Sequence, residues 1–229
     1  MEKVIIFSGA GISAESGIST FRDTGGLWDE YKIEEICTKG CLSWNRDKTI
    51  EFYNKRRVQL ADVKPNHAHE VIARLKEKYP NDIAIITQNV DDLFEQAGCK
   101  DVIHLHGYMP NIRCEHCGFI KIVGYVHQTE ERCEKCDAKM RPDIVFFHEP
   151  APMYSTLYMK MSACQFLVVI GTSGNVIAMD KYARKAKHSI LNNLEPSKAI
   201  NEQIYTKVIY EKASIAIDEI ALDIEQYLA

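Results

Sequence analysis

Several features are missing from this sequence of 229 residues, and each absence excludes a class of protein. The longest apolar stretches, Ile83–Ile86 and Phe166–Ile170, are far shorter than the ~20 residues that a membrane span needs. The 28 Lys and Arg residues are outnumbered by 32 Asp and Glu residues, so no surface for nucleic acid or another polyanion is expected. Apolar residues begin at Val4, which leaves no room for a signal peptide, so we expect a cytoplasmic protein.

Short apolar segments alternate with segments of helical spacing along most of the chain. Strands are predicted at Val4–Ser8, Ile83–Thr87, Ile144–Phe147, Phe166–Gly171, Ser189–Leu194 and Val208–Tyr210. Helical spacing is clearest in Asn66–Tyr79 and in the C-terminal segment from Ile217 to Leu228. Buried strands separated by helices predict an α/β fold, in which helices cover a Rossmann-like parallel sheet.

The eight cysteines need an explanation, because a cytoplasmic protein rarely keeps disulfides. Cys114-x-x-Cys117 and Cys133-x-x-Cys136 have the spacing of a zinc ribbon, in which each pair offers two thiolates from a tight turn. Four protein ligands close the coordination shell, so we expect a structural zinc in a small module inserted at about residues 110–142. Two redox pairs or four incidental thiols are the alternatives. The remaining cysteines have no nucleophile context, and they are Cys37, Cys41, Cys99 and Cys164.

A glycine-rich turn follows the first predicted strand. The segment Gly9-Ala10-Gly11-Ile12-Ser13-Ala14 fits the G-x-G-x-x-G/A pattern, in which glycines let the backbone approach a pyrophosphate. A purely steric need for glycine between a strand and a helix is the alternative. A long polar loop comes next, in which Arg22 could meet a phosphate and Phe21 could pack on a ring.

The segments Gly9–Asp23 and Gly25–Trp28 closely resemble the signature of the sirtuins, the NAD-dependent protein-lysine deacylases. Other blocks agree in order, and the resemblance covers essentially the whole chain. These blocks are Thr87–Asp91, His104–Gly107, the four-cysteine module, Arg141–Phe147, Gly171–Ser173 and Asn193–Glu195. Because no extension flanks these motifs, we expect a compact enzyme of the bacterial type.

The resemblance implies a reaction that releases nicotinamide, free lysine and an O-acyl-ADP-ribose. The acyl oxygen attacks the ribose carbon as nicotinamide leaves, and His106 then acts as general base on a ribose hydroxyl. Imidazole suits this role because its ordinary pKa lies near neutral pH. Asn89 and Asp91 would orient the nicotinamide ribose and a water, although a simple polar loop is the alternative for both. His104, two residues before His106, would point the opposite way in an extended segment and is interpreted as structural.

The resemblance also implies the binding residues. NAD, as co-substrate, would contact Gly9, Ala10, Gly11, Ser13, Glu15, Thr20, Phe21, Arg22, Trp28, Gln88, Asn89, Asp91, Gly171, Thr172, Ser173, Asn193, Leu194, Glu195 and Ala213. The acylated lysine of a protein substrate would contact Val145, Phe146 and Phe147. One structural zinc would be held by Cys114, Cys117, Cys133 and Cys136.

The acyl group is indicated by Tyr53 and Arg56, which lie at i and i+3 of a predicted helix over Thr49–Leu60 and so share a face. A guanidinium and a phenol on one face can hold a carboxylate through charge-assisted hydrogen bonds. The pair resembles the Tyr-x-x-Arg signature of sirtuins that remove succinyl and malonyl groups, and Thr20 agrees with that subclass. A solvated basic face is the alternative.

The sequence departs from the family at His148, where Phe-Gly-Glu is usual, and it lacks the proline that commonly follows Gly-Thr-Ser. We expect one catalytic unit over 1–229. Its large domain would comprise about 1–30, 80–110 and 143–229, and its small domain the helical part 31–79 and the zinc-binding part 110–142. Acetyl-lysine is a further expected substrate. The competing hypotheses are a mono-ADP-ribosyltransferase and a non-catalytic zinc-ribbon interaction module.

Overall fold

A parallel sheet of six strands forms the centre of the computed structural model, which describes residues 2–18, 31–129 and 131–229. The strands in these ranges are β1 (Val4–Ser8), β2 (Ile83–Thr87), β3 (Ile103–His104), β4 (Gly107–Cys114), β5 (Ile120–Ile122), β6 (Met140–Ile144), β7 (Phe166–Ile170), β8 (His188–Asn193) and β9 (Lys207–Tyr210). The helices are α1 (Gly11–Ala14), α2 (Ile33–Ile36), α3 (Cys41–Trp44), α4 (Arg46–Leu60), α5 (His67–Lys78), α6 (Leu93–Gln96), α7 (Tyr154–Ala163), α8 (Asp180–Ala183) and α9 (Ala213–Leu228), with a 3-10 helix at Glu202–Ile204.

The order of the large sheet is β3-β2-β1-β7-β8-β9, and every neighbouring pair is parallel. From β1 the chain builds outward to β2 and β3, and it then returns to the other side of β1 with β7. Ligands of open α/β sheets bind at the carboxyl ends of the strands where the order reverses in this way. The reversal between β1 and β7 is therefore the place to look for a site.

The sheet is covered on both faces, as the sequence predicts. All residues of β1, β2 and β7 are buried. Successive side chains of a strand point to opposite faces. Ile6 accordingly packs in a cluster with Ile217 of α9, whereas Phe7 packs in a second cluster with Leu157 of α7. This arrangement confirms the α/β fold class.

The two helices with the clearest apolar spacing both form. Within Asn66–Tyr79, α5 begins after Asn66, whose side chain accepts a hydrogen bond from the Ala68 N–H and so caps the helix. On α9, Ile217, Ile220 and Ile224 are buried against the sheet and α5. Among the described residues, no helix is both long enough and apolar enough to cross a membrane.

The segment 144–147 differs from its prediction as a strand of the large sheet. The strand β6 ends at Ile144 and pairs antiparallel with β4, in a separate sheet of order β5-β4-β6. The remaining residues of the segment, 145–147, lie outside the strands, and Phe147 forms an isolated parallel bridge with Thr38. A short apolar run predicts burial but not the partner of a strand, so its pattern also fits a segment that lines a cavity.

Candidate active site

A cavity of about 890 Å³ opens at the carboxyl ends of β1, β2 and β7, where the strand order reverses. It brings together predicted residues that are far apart in the sequence. They are Gly9, Ala10, Gly11, Ser13, Glu15, Tyr53, Arg56, Gln88, Asn89, Asp91, His106, Val145, Phe146, Phe147, Gly171, Thr172, Ser173, Asn193, Leu194, Glu195 and Ala213. Four other predicted residues lie outside the described residues, namely Thr20, Phe21, Arg22 and Trp28.

The glycines of the first turn are required by a close approach between two loops. A Cβ atom at Gly9 would lie 2.8 Å from the carbonyl oxygen of Gly171, and one at Gly11 would lie 2.7 Å from the Gly171 Cα. Gly171 itself has a φ of +63°, in the left-handed region that favours glycine. The steric role that the sequence offered as an alternative is therefore real. It also leaves bare backbone facing the cavity, which is what a bound pyrophosphate needs.

Hydrogen bonds tie the polar residues of neighbouring strand ends to one another. The Asn89 Nδ2 group donates to the Ser13 hydroxyl at 3.0 Å, and the Gln88 Nε2 group donates to the Thr172 hydroxyl at 3.0 Å. Asn193 donates to the Thr172 carbonyl at 3.0 Å. These contacts join α1, the last residue of β8 and the loops that follow β2 and β7. Side chains held in this way are oriented before a ligand arrives.

Asp91 lies in the same loop as Asn89 and is buried. Burial raises the pKa of its carboxyl group, although hydrogen bonds from the Leu93 N–H and the Ser13 side chain act in the opposite direction. The Leu93 nitrogen lies 3.3 Å from the Asp91 Oδ1 atom. The carboxyl group can therefore accept hydrogen bonds from a sugar hydroxyl or a water in the cavity.

His106 projects into the cavity with both ring nitrogens engaged. Its Nδ1 atom lies 3.1 Å from the Gln88 carbonyl oxygen, and its Nε2 atom lies 3.0 Å from the Tyr154 hydroxyl oxygen. Burial lowers the pKa of the imidazole, and the Gln88 carbonyl opposes this effect only in part. A neutral imidazole in a cavity at neutral pH is chemically competent to take a proton.

His104 has the opposite environment, and it does not line the cavity. Its Nε2 atom lies 2.8 Å from the Glu95 carboxylate and its Nδ1 atom lies 2.9 Å from the Asn89 carbonyl oxygen. Burial by itself would lower its pKa, but the hydrogen bond and the charge of Glu95 raise it. These contacts suit the structural role that the sequence suggests for His104.

Tyr53 and Arg56 line the cavity from one face of α4. The Tyr53 ring stacks on the Phe146 ring with centroids 5.5 Å apart and planes at 15°, and its hydroxyl donates to the Cys37 sulfur at 3.0 Å. Burial lowers the pKa of the Arg56 guanidinium, whereas Tyr53 and the Asp91 carboxylate act against this shift. A cation held in a partly dry cavity attracts an anionic group of a ligand.

His148 lines the cavity where the resemblance leads one to expect glycine, and its φ of 67° explains the family's preference. On its N-terminal side, the Phe147 N–H donates to the Cys37 carbonyl at 2.8 Å, and the Lys39 N–H donates to the Phe147 carbonyl at 2.8 Å. These bonds hold the turn, so the histidine adopts a conformation that suits glycine better.

Four cysteines converge beside the small sheet, as their spacing predicts. The sulfur atoms of Cys114, Cys117, Cys133 and Cys136 all lie within 4.8 Å of one another. The Cys114–Cys136 and Cys117–Cys133 sulfur distances are 3.5 and 3.7 Å, close to the ~3.8 Å between thiolates bound tetrahedrally to zinc at about 2.3 Å. The four thiolates fit one structural zinc.

Among the cavity residues that the sequence did not single out, Cys37 and Tyr154 make the most informative contacts. Cys37 has no partner cysteine at a diagnostic spacing, and Tyr154 begins a helix that carries no recognisable motif. Each becomes visible only through a tertiary contact, with Tyr53 and His106 respectively.

The chain is similar over nearly its whole length to proteins of one family. A family model described as Sir2 family matches residues 9–178. An NAD-dependent protein deacylase of Campylobacter jejuni is 49% identical over 230 residues, covering 100% of this chain and 98% of that protein. A protein of the same description from Helicobacter hepaticus is 40% identical over 252 residues, with 99% of each covered. The solved structure of a Sir2 homolog–NAD complex is 30% identical with a TM-score of 0.85, covering 99% of this chain and 90% of that one.

Proposed function

The chain belongs to the Sir2 family of NAD-dependent protein deacylases, and we propose that it acts preferentially on lysine acyl groups that end in a carboxylate, such as succinyl and malonyl. Acetyl-lysine is the second substrate class of this proposal. The similarity to deacylases over 100% of the chain favours this function over a non-catalytic zinc-ribbon module.

NAD is the co-substrate, and when bound it supplies an activated ribose carbon that accepts the acyl oxygen as nicotinamide leaves. The bare backbone of Gly9, Gly11 and Gly171 is suited to the pyrophosphate, because side chains at these positions would collide with neighbouring backbone. Gln88 and Asn89, already oriented by Thr172 and Ser13, can hydrogen-bond to the ribose. The resemblance to the sirtuin signature alone extends the proposed NAD contacts to Thr20, Phe21, Arg22 and Trp28, which lie outside the described residues.

His106 is the proposed general base. It lines the same cavity as the glycine turn and the acyl pocket, and its lowered pKa keeps the imidazole neutral at physiological pH. Its Nε2 atom is the nitrogen that can accept a proton, because the Gln88 carbonyl oxygen beside Nδ1 requires a donor there.

One observation carries the proposed acyl preference: the Arg56 and Tyr53 side chains line the cavity that also holds His106. A succinyl or malonyl group attached to lysine ends in a carboxylate, which a guanidinium and a phenol can bind together. Hydrogen bonds to charged groups contribute about 1.5–3 kcal/mol each. An acetyl group ends in a methyl and gains none of this.

The test compares matched succinylated, malonylated and acetylated peptides with NAD, and it follows nicotinamide and free lysine together. Arg56→Met should lower kcat/KM for the succinylated peptide by roughly 10- to 100-fold, the loss of one charge-assisted contact, and should leave deacetylation within about twofold. Lys55→Met is the control, because this neighbouring cation on α4 bonds Tyr31 and Glu51 and does not line the cavity.

Three outcomes would contradict the proposal in different ways. Equal losses on both peptides would reject the carboxylate contact. Nicotinamide release without free lysine would favour ADP-ribosyl transfer, which remains the second candidate because it would use the same NAD site. Absence of nicotinamide release with every acyl peptide would reject the deacylase function itself.

We also propose a cytoplasmic location and no role for nucleic acid or membranes. All eight cysteines lack disulfide partners. A reducing compartment keeps the four zinc ligands as thiols that are available to the metal.

A further inference from the structure

The hydroxyl of Tyr154 forms a hydrogen bond with Nε2 of His106, the ring nitrogen through which His106 would act as a base. We propose that Tyr154 is a positioning residue for His106: its hydroxyl donates to Nε2, keeps that nitrogen a proton acceptor, and yields the position to a ribose hydroxyl when NAD binds. This inference rests on the role proposed above for His106.

The hydrogen bonds themselves define the tautomer. The Gln88 carbonyl oxygen can only accept, so the Nδ1 atom at 3.1 Å must carry the ring proton. In a neutral imidazole the other nitrogen then has a lone pair. The hydroxyl of Tyr154, 3.0 Å from Nε2, must therefore donate. A phenol can serve as donor here because burial raises the pKa of Tyr154 and keeps it protonated.

The position of Tyr154 in the fold keeps its hydroxyl within hydrogen-bond distance of His106. It is the first residue of α7, and the helix is anchored by Leu157 in the core beneath the sheet. Its ring is tilted at 46° to the His106 ring with centroids 6.0 Å apart. Tyr158, one turn later, meets the Tyr154 ring at 6.4 Å. The Tyr154 hydroxyl is thus held in position by a packed helix rather than by a loop.

Charged groups from other elements also line the cavity, although the pKa of His106 is shifted by burial and by the Gln88 carbonyl. Arg56 from α4 and Asp91 after β2 carry opposite charges and influence each other electrostatically. Glu149 after β6 is bonded to Arg141. The carboxylates of Glu15, Glu195 and Glu211 also line the cavity. Both ring nitrogens of His106 are already engaged by Gln88 and Tyr154, so the hydroxyl is the group whose removal changes the ring most directly.

A hydrogen bond to the neutral form of a group disfavours its charged form. In the free protein, the donated bond from Tyr154 therefore makes His106 harder to protonate, and it aims the lone pair into the cavity. In the complex with NAD, a ribose hydroxyl that donates to Nε2 takes over the same role. The contribution of Tyr154 should be present without the nucleotide and absent with it.

The first measurement needs no variant. Ring nitrogen chemical shifts of the wild-type protein should show a protonated Nδ1 and an unprotonated Nε2 on His106, identified as the signal that His106→Tyr removes. A protonated Nε2 would overturn the proposal. This measurement reports on the ring even if the protein has no deacylase activity, so it separates this inference from the proposed function.

The second measurement compares Tyr154→Phe, which keeps the ring and removes the hydroxyl, with Tyr158→Phe on the same helix. NMR titration of free Tyr154→Phe should give a higher pKa for His106 than in wild type, whereas Tyr158→Phe should match wild type. ADP-ribose should abolish the difference. Equal titration of wild type and Tyr154→Phe would overturn the proposal, and a difference that survives with ADP-ribose would overturn the exchange of hydroxyls.

Kinetics give the magnitude. In alkaline solution, where His106 of the free protein is neutral, kcat/KM for NAD should rise about fivefold in Tyr154→Phe, because NAD no longer displaces one neutral hydrogen bond of about 1 kcal/mol. On the acidic side it should match wild type, because neither the protonated ring nor the complex contains that bond. The pH profile of kcat, which reports the complex, should not move. A uniform loss at every pH would instead indicate a merely structural role.

Discussion

Replacing His148 by glycine should stabilise the protein, because this residue holds a backbone conformation that few side chains adopt. Its φ is 67°, and its side chain is exposed, so truncation removes little packing. The turn cannot relax easily. Phe147 is bonded through its N–H and carbonyl to the backbone of Cys37 and Lys39, and the Glu149 N–H donates to the Phe146 carbonyl at 3.0 Å.

Two opposing contributions set the size of the effect. The left-handed conformation costs a residue with a Cβ atom roughly 1–2 kcal/mol. Glycine also gains freedom in the unfolded chain, which lowers stability by about 0.4–1 kcal/mol. The difference is a gain of about 0.5–1 kcal/mol in the free energy of unfolding, or roughly 1–4 °C in Tm for a chain of this size.

Equilibrium unfolding in urea with zinc present provides the assay, because a change in stability alone shifts the midpoint and leaves the m-value unchanged. His127→Gly is the matched control, since His127 is also exposed but does not have a positive φ. The free energy of unfolding of His127→Gly should be about 0.4–1 kcal/mol lower than that of wild type. If His148→Gly falls below wild type together with the control, the argument from backbone strain is wrong.

Three further predictions concern the base, the metal and pH. His106→Tyr should abolish nicotinamide release, while circular dichroism shows the same fold as wild type. Metal analysis should find about one zinc per chain, and Cys114→Ser should lower the urea midpoint strongly because it opens the coordination shell. Burial lowers the pKa of His69 from 6.5 to about 4. As pH falls, the His69 imidazole is therefore protonated in the unfolded chain before it is protonated in the folded protein. The free energy of unfolding should consequently fall by roughly 2 kcal/mol from pH 7 to pH 5. In His69→Gln, whose glutamine suits the capping box at α5, this decrease in the free energy of unfolding between pH 7 and pH 5 should disappear. An unchanged dependence on pH would contradict the lowered pKa of His69.

The parts of the fold that are predictable from sequence are those in which one local pattern has one physical cause. The apolar runs Val4–Phe7 and Phe166–Ile170 are long enough only for buried parallel strands, and both lie in strands of the central sheet. The two Cys-x-x-Cys pairs converge because zinc dictates their spacing. In the glycine turn, Gly9 and Gly11 are required because the backbone of Gly171 passes close to them. The sequence suggests that a close contact exists there, but it does not identify Gly171 as the partner.

What could not be predicted depends on tertiary neighbours. The run Ile144–Phe147 is apolar because it borders a cavity and the small sheet, and its pattern is the same as that of a central strand. Tyr154 meets His106 across 48 positions of sequence, and Cys37 meets Tyr53 across 16. No periodicity or motif encodes such a contact, because each partner reaches it from a different element.

These two contacts follow the same physical rule, and it bears on the choice of acyl group. A buried hydroxyl without a partner costs about 1–3 kcal/mol, and the Tyr53 hydroxyl avoids this cost by donating to the Cys37 sulfur at 3.0 Å. An acetyl group offers no acceptor at this end of the pocket, so Tyr53 should keep its bond to the thiol. A carboxylate is a far stronger acceptor than sulfur, because charge-assisted hydrogen bonds are roughly twice as strong as neutral ones. When the Tyr53 hydroxyl exchanges the thiol for a carboxylate as its acceptor, binding of a succinyl group should therefore be favoured even without the contribution of Arg56.

Tyr53→Phe should accordingly weaken desuccinylation less than Arg56→Met does and should leave deacetylation unchanged. A loss of deacetylation would show that the hydroxyl serves the packing of Phe146 and Cys37 instead.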